Sequence, residues 1–271
     1  MLNSSGYLQS IENVPVLRPP GRTLSATDNG IRNGLLAGLP NDALRVLLKR
    51  MECVPLNRRQ IIEERHLPLR HAYFIESGVA SLLTRAGDHS MIEIRTLGHN
   101  DFVGIPLVLG TDRSPHRCIV QVAGHALRLT ARDFVSTLDS SPELRRILLG
   151  YVQAALAHSA QLVACNTRHT LNERLARWLL VAIDRLESDE IPLTHCCVSR
   201  ALGVRRAGIT TAMGRMEEAG LIRRGRGRVL VVDRVGLEQA SCGCYNVIRA
   251  EHQKALSHLS DVGPRRPTIM Q

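Results

Sequence analysis

The chain has 271 residues, 44% hydrophobic and 22% charged, which fits a globular protein of one large or two modest domains. Its net charge of +10 raises the expectation of a polyanionic partner, and because only Lys49 and Lys254 are lysines, that charge is almost all arginine. Aromatic residues at 3% are too few for a single-strand binder built on stacking, and no run of eighteen apolar residues predicts a membrane span.

The first 30 residues are rich in Ser, Asn, Pro and Gly and predict a disordered tail; with no basic start or apolar stretch to suggest a secretory signal, a cytoplasmic location is expected. From Asn33 the pattern changes. Asn41-Asp42 would cap a short helix with Leu44, Val46, Leu47, Leu48 and Met51 as its apolar positions. Then come short extended pieces, HAYFIESG, VASLLTRAGD, SMIEIRTLG, RCIVQVAG and HALRLTA, separated by turn residues, as in a β-barrel or roll. The period next switches from two to three and a half. Ser140-Ser141-Pro142 opens a long helix in which Leu148, Val152, Ala155, Ser159 and Leu162 form a coiled-coil seam, and that seam predicts a homodimer. A second helix over LNERLARWLLVAIDRLES places Trp178 on its apolar stripe as a core residue.

Residues 193–222 read as a helix-turn-helix. Thr194 is the N-cap of the first helix, Gly203 supplies the positive φ of the turn, and Ile209, Met213 and Met216 face inward from the second helix. That second helix presents Arg205, Arg206, Thr210, Thr211 and Arg215 outward, as a major-groove reader would. Two strand-like pieces flank Arg224-Gly225-Arg226-Gly227, a basic turn suited to a wing. Between residues 193 and 229 arginines stand at 200, 205, 206, 215, 223, 224, 226 and 228 against only Glu217 and Glu218. One-signed clustering of this kind marks phosphate binding. The last segment, GLEQASCGCYNVIRAEHQKALSHL, predicts one more amphipathic helix, with packing on the wing and contact with RNA polymerase both open for it.

In order and content, residues 33–232 resemble the Crp/Fnr family of bacterial transcription regulators. AYFIESGVASLL resembles that family's strand-turn-strand signature, GHNDFVGIPLVLG its Gly-rich effector stretch, and residues 193–222 its helix-turn-helix. The resemblance implies an α+β fold: an N-terminal β-roll of the cyclic-nucleotide-binding type, a long dimerisation helix and a C-terminal winged helix-turn-helix. The expected divisions are a tail over 1–30, the roll over 31–140, the dimer helix over 141–167, the DNA-binding domain over 168–250 and a C-terminal tail over 251–271.

Double-stranded DNA and a second copy of the chain are the expected partners, with no membrane and no enzymatic activity. No Gly-rich phosphate loop, His-Glu-x-x-His or nucleophile elbow occurs. Arg205, Arg206, Thr210 and Thr211 would read bases, while Thr194, Arg200, Arg215, Arg224 and Arg226 would meet phosphates. An effector would lie among Gly98, Gly104, Ile105, Arg117, Gln153 and Ser159. Cyclic AMP is not expected, because Ile105 follows Gly104 where cyclic-AMP-binding members carry a ribose-binding glutamate. His116 and Arg117 both remain candidates for the phosphate-facing position, since a one-residue slip in a strand reverses the face. Nor is an iron–sulfur cluster expected, because no cysteine precedes Cys53. The seven scattered cysteines show no paired Cys-x-x-Cys spacing, so no metal is expected, although Cys196-Cys197 and Cys242-Gly-Cys244 invite that reading. The alternatives are a cyclic-nucleotide-binding or a thiol-redox sensor of the same fold.

Overall fold

The computed structural model describes residues 30–87 and 90–257, so the expected N-terminal tail and the end of the C-terminal one lie outside the described residues. Two short helices, α1 (Gly34–Ala37) and α2 (Asn41–Leu48), lead into an antiparallel six-stranded sheet. Its strands are β1 (Glu52–Leu56), β2 (Ile61–Glu63), β3 (His71–Ala86), β4 (Ser90–Leu97), β5 (Phe102–Val103) and β6 (Arg117–Thr130), with helix α3 (Ile105–Val108) after β5. β1, β6, β3 and β4 are neighbours in that order, while β2 adds to β6 and β5 to β3.

The five predicted extended pieces are three strands. HAYFIESG and VASLLTRA are the single strand β3, and RCIVQVAG and HALRLT the single strand β6. The glycines between them mark bulges rather than turns. Gly78 has φ +83°, and a Cβ there would lie 2.6 Å from the Val122 carbonyl oxygen; a Cβ on Gly124 would lie 2.1 Å from that of Ser77. Two backbones pressed this closely bend the long ribbon without ending it. At the N-terminal end, α2 begins at Asn41 after Pro40 and has no side-chain cap, so the expected Asn41-Asp42 cap is not used. Of its expected apolar face only Leu47 is buried, and Val46 is exposed.

Helix α4 (Ala131–Ser140) leads to α5 (Pro142–Arg168), which Ser141 caps by accepting from the Leu144 N–H at 3.3 Å, with Pro142 in the first turn where its missing N–H is harmless. By length and composition alone α5 is apolar enough to cross a membrane, although it contains no uninterrupted run of eighteen apolar residues. Its N-terminal half is packed in this fold: Leu144, Ile147, Leu148, Tyr151 and Val152 join the roll core with Phe74, Phe102 and Phe134. Part of the predicted seam is thus buried within the chain itself. Leu148 and Val152 serve the chain's own roll, and the exposed apolar stripe is Leu149, Leu156 and Val163, one heptad apart.

Helix α6 (Leu171–Leu186) starts with a capping box, in which Thr170 and Glu173 each accept from the other's backbone N–H. It is buried almost all round because it lies between the roll and the C-terminal core, and Arg177 and Arg185 are buried with it. Trp178 is half-buried against that core and donates to Glu93 Oε1 at 3.0 Å, so the expected core residue also bridges to β4. The remaining elements are β7 (Glu190–Pro192), α7 (His195–Leu202), α8 (Arg206–Glu218), β8 (Ile222–Gly225), β9 (Arg228–Val231), α9 (Arg234–Ala240) and α10 (Cys244–Ser257). The small sheet runs β7-β9-β8. The single C-terminal helix expected from the sequence is two, broken at Cys242-Gly243. The second continues past the expected tail boundary at 251 to Ser257 and packs chiefly on α5, not on the wing.

Candidate nucleic-acid interface and effector cavity

Local chemistry builds the C-terminal interface. Thr194 caps α7 by accepting from the Cys197 N–H at 3.3 Å, and Val198 and Leu202 turn that helix inward. Gly203 ends it at φ +65°, with the Val204 N–H reaching back to the Ser199 carbonyl at 2.9 Å. Ile209, Ala212, Met213 and Met216 bury one face of α8 against α6 and the small sheet. The opposite face presents Arg205, Arg206, Thr210, Thr211 and Arg215 to solvent. α8 has no side-chain cap at Arg205, which leaves its first N–H groups open to an anion. Arg205, Arg206, Arg215 and Arg226 make no side-chain hydrogen bond or ion pair among the described residues.

Other predicted contacts are already engaged. Arg224 forms a salt bridge with Glu217, donating from Nε to Oε2 at 2.6 Å, and its backbone N–H also donates to that carboxylate, so a phosphate there would compete with Glu217. Arg200 is half-buried and interacts within the fold, and Thr194 is committed to capping. The wing between β8 and β9 turns on Arg226-Gly227 alone, with Gly227 at φ +73°, so Arg226 stands at its tip. The sequence reading missed His195, whose Nδ1 lies 3.0 Å from the Thr210 hydroxyl; that hydroxyl also donates to the Arg206 carbonyl. Partial burial, with Arg206 and Arg224 adding to it, lowers the His195 pKa.

A cavity of about 290 Å³ opens between the roll and α5. Gly104, Ile105 and Ser159 line it as expected, together with the unpredicted Glu63, Arg95, Arg113, Ser114 and His116. Gly98, Arg117 and Gln153 do not. Gly98 packs on the backbone of Arg185, Arg117 is paired to Glu64 at 2.8 Å, and Gln153 faces solvent. Of the two candidates His116 and Arg117, only His116 lines the cavity, and its Nδ1 is buried without a hydrogen-bond partner among the described residues. Burial and Arg65 lower its pKa.

The cavity fits a cyclic nucleotide poorly. Arg95 is held by Asp101 at 3.1 Å, and Arg113 donates to the His66 carbonyl at 2.7 Å. No uncommitted arginine lines it to meet a phosphate, and Ile105 offers nothing to ribose hydroxyls.

Behind the cavity lies a buried charge network. Asp101 is fully buried; it accepts from Arg95, from the Tyr151 hydroxyl at 2.9 Å and from the Gly98 N–H at 2.8 Å, is ion-paired with Arg185 at 2.9 Å, and has His252 Nε2 at 3.4 Å. Burial raises its pKa, but Arg185, His252 and Arg95 together hold the carboxyl far below the usual carboxylate range. These partners come from β4, α5, α6 and α10, so the network joins both halves of the molecule.

The arrangement defines a class: a winged helix-turn-helix DNA-binding module behind a β-roll and a long helix. The sequence agrees. Residues 54–141 match the model of the cyclic nucleotide-binding domain and residues 173–240 that of the Crp-like helix-turn-helix domain, and the chain belongs to the Crp/Fnr-type transcription regulators. The fold is similar to that of a Crp/Fnr-family transcriptional regulator from Thermus thermophilus, at 20% identity and a TM-score of 0.60 over 70% of this chain and 98% of that one. It is also similar to the regulator FixK2 from Bradyrhizobium japonicum, at 14% identity and 0.61 over 71% and 98%. The c-di-GMP responsive global regulator CLP from Xanthomonas campestris gives 15% and 0.59 over 71% and 99%. At such identities the likeness concerns the fold alone. No curated protein matches the chain.

Proposed function

We propose that the chain binds double-stranded DNA as a homodimer, laying α8 in the major groove at each half of an inverted repeat. The observation that carries this reading is the exposed face of α8, where two unpaired arginines stand at an uncapped helix start beside a basic wing tip. Arg206, Thr211 and Arg205 would reach base edges, and Thr210 would do so with His195 orienting its hydroxyl. Arg215, Arg226 and the N–H groups at the start of α8 would meet phosphates.

In this reading residues 31–140 form the roll, 141–167 the dimer helix and 168–250 the DNA-binding part. The dimer would pair along Leu149, Leu156 and Val163, a stripe that finds no cover within the described chain. The cavity would hold a small effector bearing a hydrogen-bonding group for His116, and its seating against Val152, Ala155, Leu156 and Ser159 would couple it to the dimer helix.

Selection of duplexes from a random pool tests the proposal. The expected survivors share an inverted repeat with half-site centres about 34–36 Å apart. Enrichment without a shared motif would contradict it.

A further inference from the structure

Where α5 ends, four ligand-type side chains converge that none of the foregoing uses. Cys165 and His169 stand four residues apart across the last turn of α5, and the His169 N–H closes that turn on the Cys165 carbonyl at 3.1 Å. Cys242-Gly243-Cys244 breaks the chain between α9 and α10 and brings two more thiols to the same point. Cys165 Sγ lies 3.5 Å from Cys242 Sγ, and Cys244 Sγ lies 3.5 Å from His169 Nδ1. All four atoms fall within 4.8 Å of one another, and the three cysteines are buried.

We propose that Cys165, His169, Cys242 and Cys244 bind a single divalent cation of the zinc class. The spacing is that of one ion. Metal–sulfur bonds of about 2.3 Å and metal–nitrogen bonds of about 2.0 Å in a tetrahedron set the ligand atoms about 3.5–3.8 Å apart. An iron–sulfur cluster spreads its ligands over several irons and holds them farther apart. Three thiolates and an imidazole are also the donors such a cation prefers over magnesium or calcium.

The surroundings suit the charge. On binding, each thiol releases its proton to solvent, and three thiolates on a divalent ion leave one net negative charge. Gln161 Nε2 already donates to Cys244 Sγ at 3.0 Å. The Arg174 guanidinium is an electrostatic neighbour of Cys165 and Cys242, and its buried Nε has no hydrogen-bond partner. Buried cysteines filling a core as small apolar groups would need neither an imidazole nor an amide aimed at their sulfurs.

The ion would pin the start of α10 to the end of α5, one residue before Thr170 opens α6. That is the hinge between the roll's long helix and the DNA-binding module. It departs from the expectation that the chain holds no metal, and it stands whether or not the DNA reading does.

Metal analysis of the full-length, untagged protein purified without chelator is the test. About one zinc per chain is expected, falling at least tenfold in Cys242→Ser and Cys244→Ser and unchanged in Cys53→Ser, which alters an exposed thiol. Cobalt in place of zinc should give a thiolate charge-transfer band and intense tetrahedral d–d bands. His169→Cys should keep the cobalt and shift its spectrum toward all-sulfur ligation, a result no unfolded variant gives. Protein that carries no zinc and takes up no cobalt would overturn the proposal, as would a Cys165–Cys242 disulfide or iron accompanied by labile sulfide.

Discussion

The molecule treats arginine in two opposite ways. On α8 and the wing, Arg205, Arg206, Arg215 and Arg226 are exposed and unpaired. At the junction of roll and helices, Arg95 and Arg185 are buried, and each is bound to Asp101. Solvent explains the difference. A hydrated guanidinium keeps its attraction for an incoming phosphate, whereas one removed from water must find its counter-charge inside the chain. The same residue type is thus a tool for binding in one place and a rivet in the other.

Breaking the rivet should have the largest effect. Asp101→Asn leaves Arg95 and Arg185 buried without an anion, which should destabilise the protein by about 3–5 kcal/mol in chemical denaturation. A change under about 1 kcal/mol would mean the network contributes only packing. On the exposed side, Arg226→Ala should weaken all DNA sequences alike, and because the dimer loses one phosphate contact at each wing, the slope of log affinity against log salt should become shallower by about 1.8. Loss confined to one sequence would instead make the wing tip a base reader.

A smaller effect concerns pH. His158 is buried, and burial, with Arg95, Arg185 and Arg177 adding to it, lowers its pKa well below 6.5. Above that value neither the folded nor the unfolded state protonates the ring. As pH falls through it, only the unfolded state takes up the proton, so stability falls with pH until the lower folded value is reached. His158→Gln should therefore lose about 1 kcal/mol less than the parent between pH 7.5 and 5.5. Parallel pH profiles of the two proteins would show that the ring is hydrated.

The two regions also differ in how far the sequence discloses them. The helix-turn-helix rests on local spacing: Thr194 as cap, Gly203 as turn, and Ile209, Met213 and Met216 at helical intervals, each at its expected place. The order of roll, long helix and wing followed from changes of period in the same way. Long-range meetings leave no such trace. Asp101 finds His252 from 151 positions away, and Cys165 finds Cys242 from 77.

Near misses arose where one residue decides a face. The seven-residue spacing put Leu148 and Val152 on a seam, but the roll buries that face and leaves the adjacent stripe exposed. Which of His116 and Arg117 faces the cavity needed the strand register, and the pairing of Arg224 with Glu217, seven residues earlier at the end of α8, needed the turn between helix and strand. Of the metal-type cluster, only Cys242-Gly-Cys244 was visible in the sequence, for another reason. A search for Cys-x-x-Cys pairs does not find Cys-x-x-x-His on a helix meeting Cys-x-Cys at a helix break.

In the proposed complex, α8 reads bases through Arg206. The direct measurement is the affinity of the parent and of Arg206→Ala for a selected site and each of its single-base variants at fixed salt. The parent should discriminate at the position opposite Arg206 by about 1–3 kcal/mol, and the variant should lose that preference while keeping the others. An equal loss of affinity at every site would contradict the claim and reduce Arg206 to a phosphate contact.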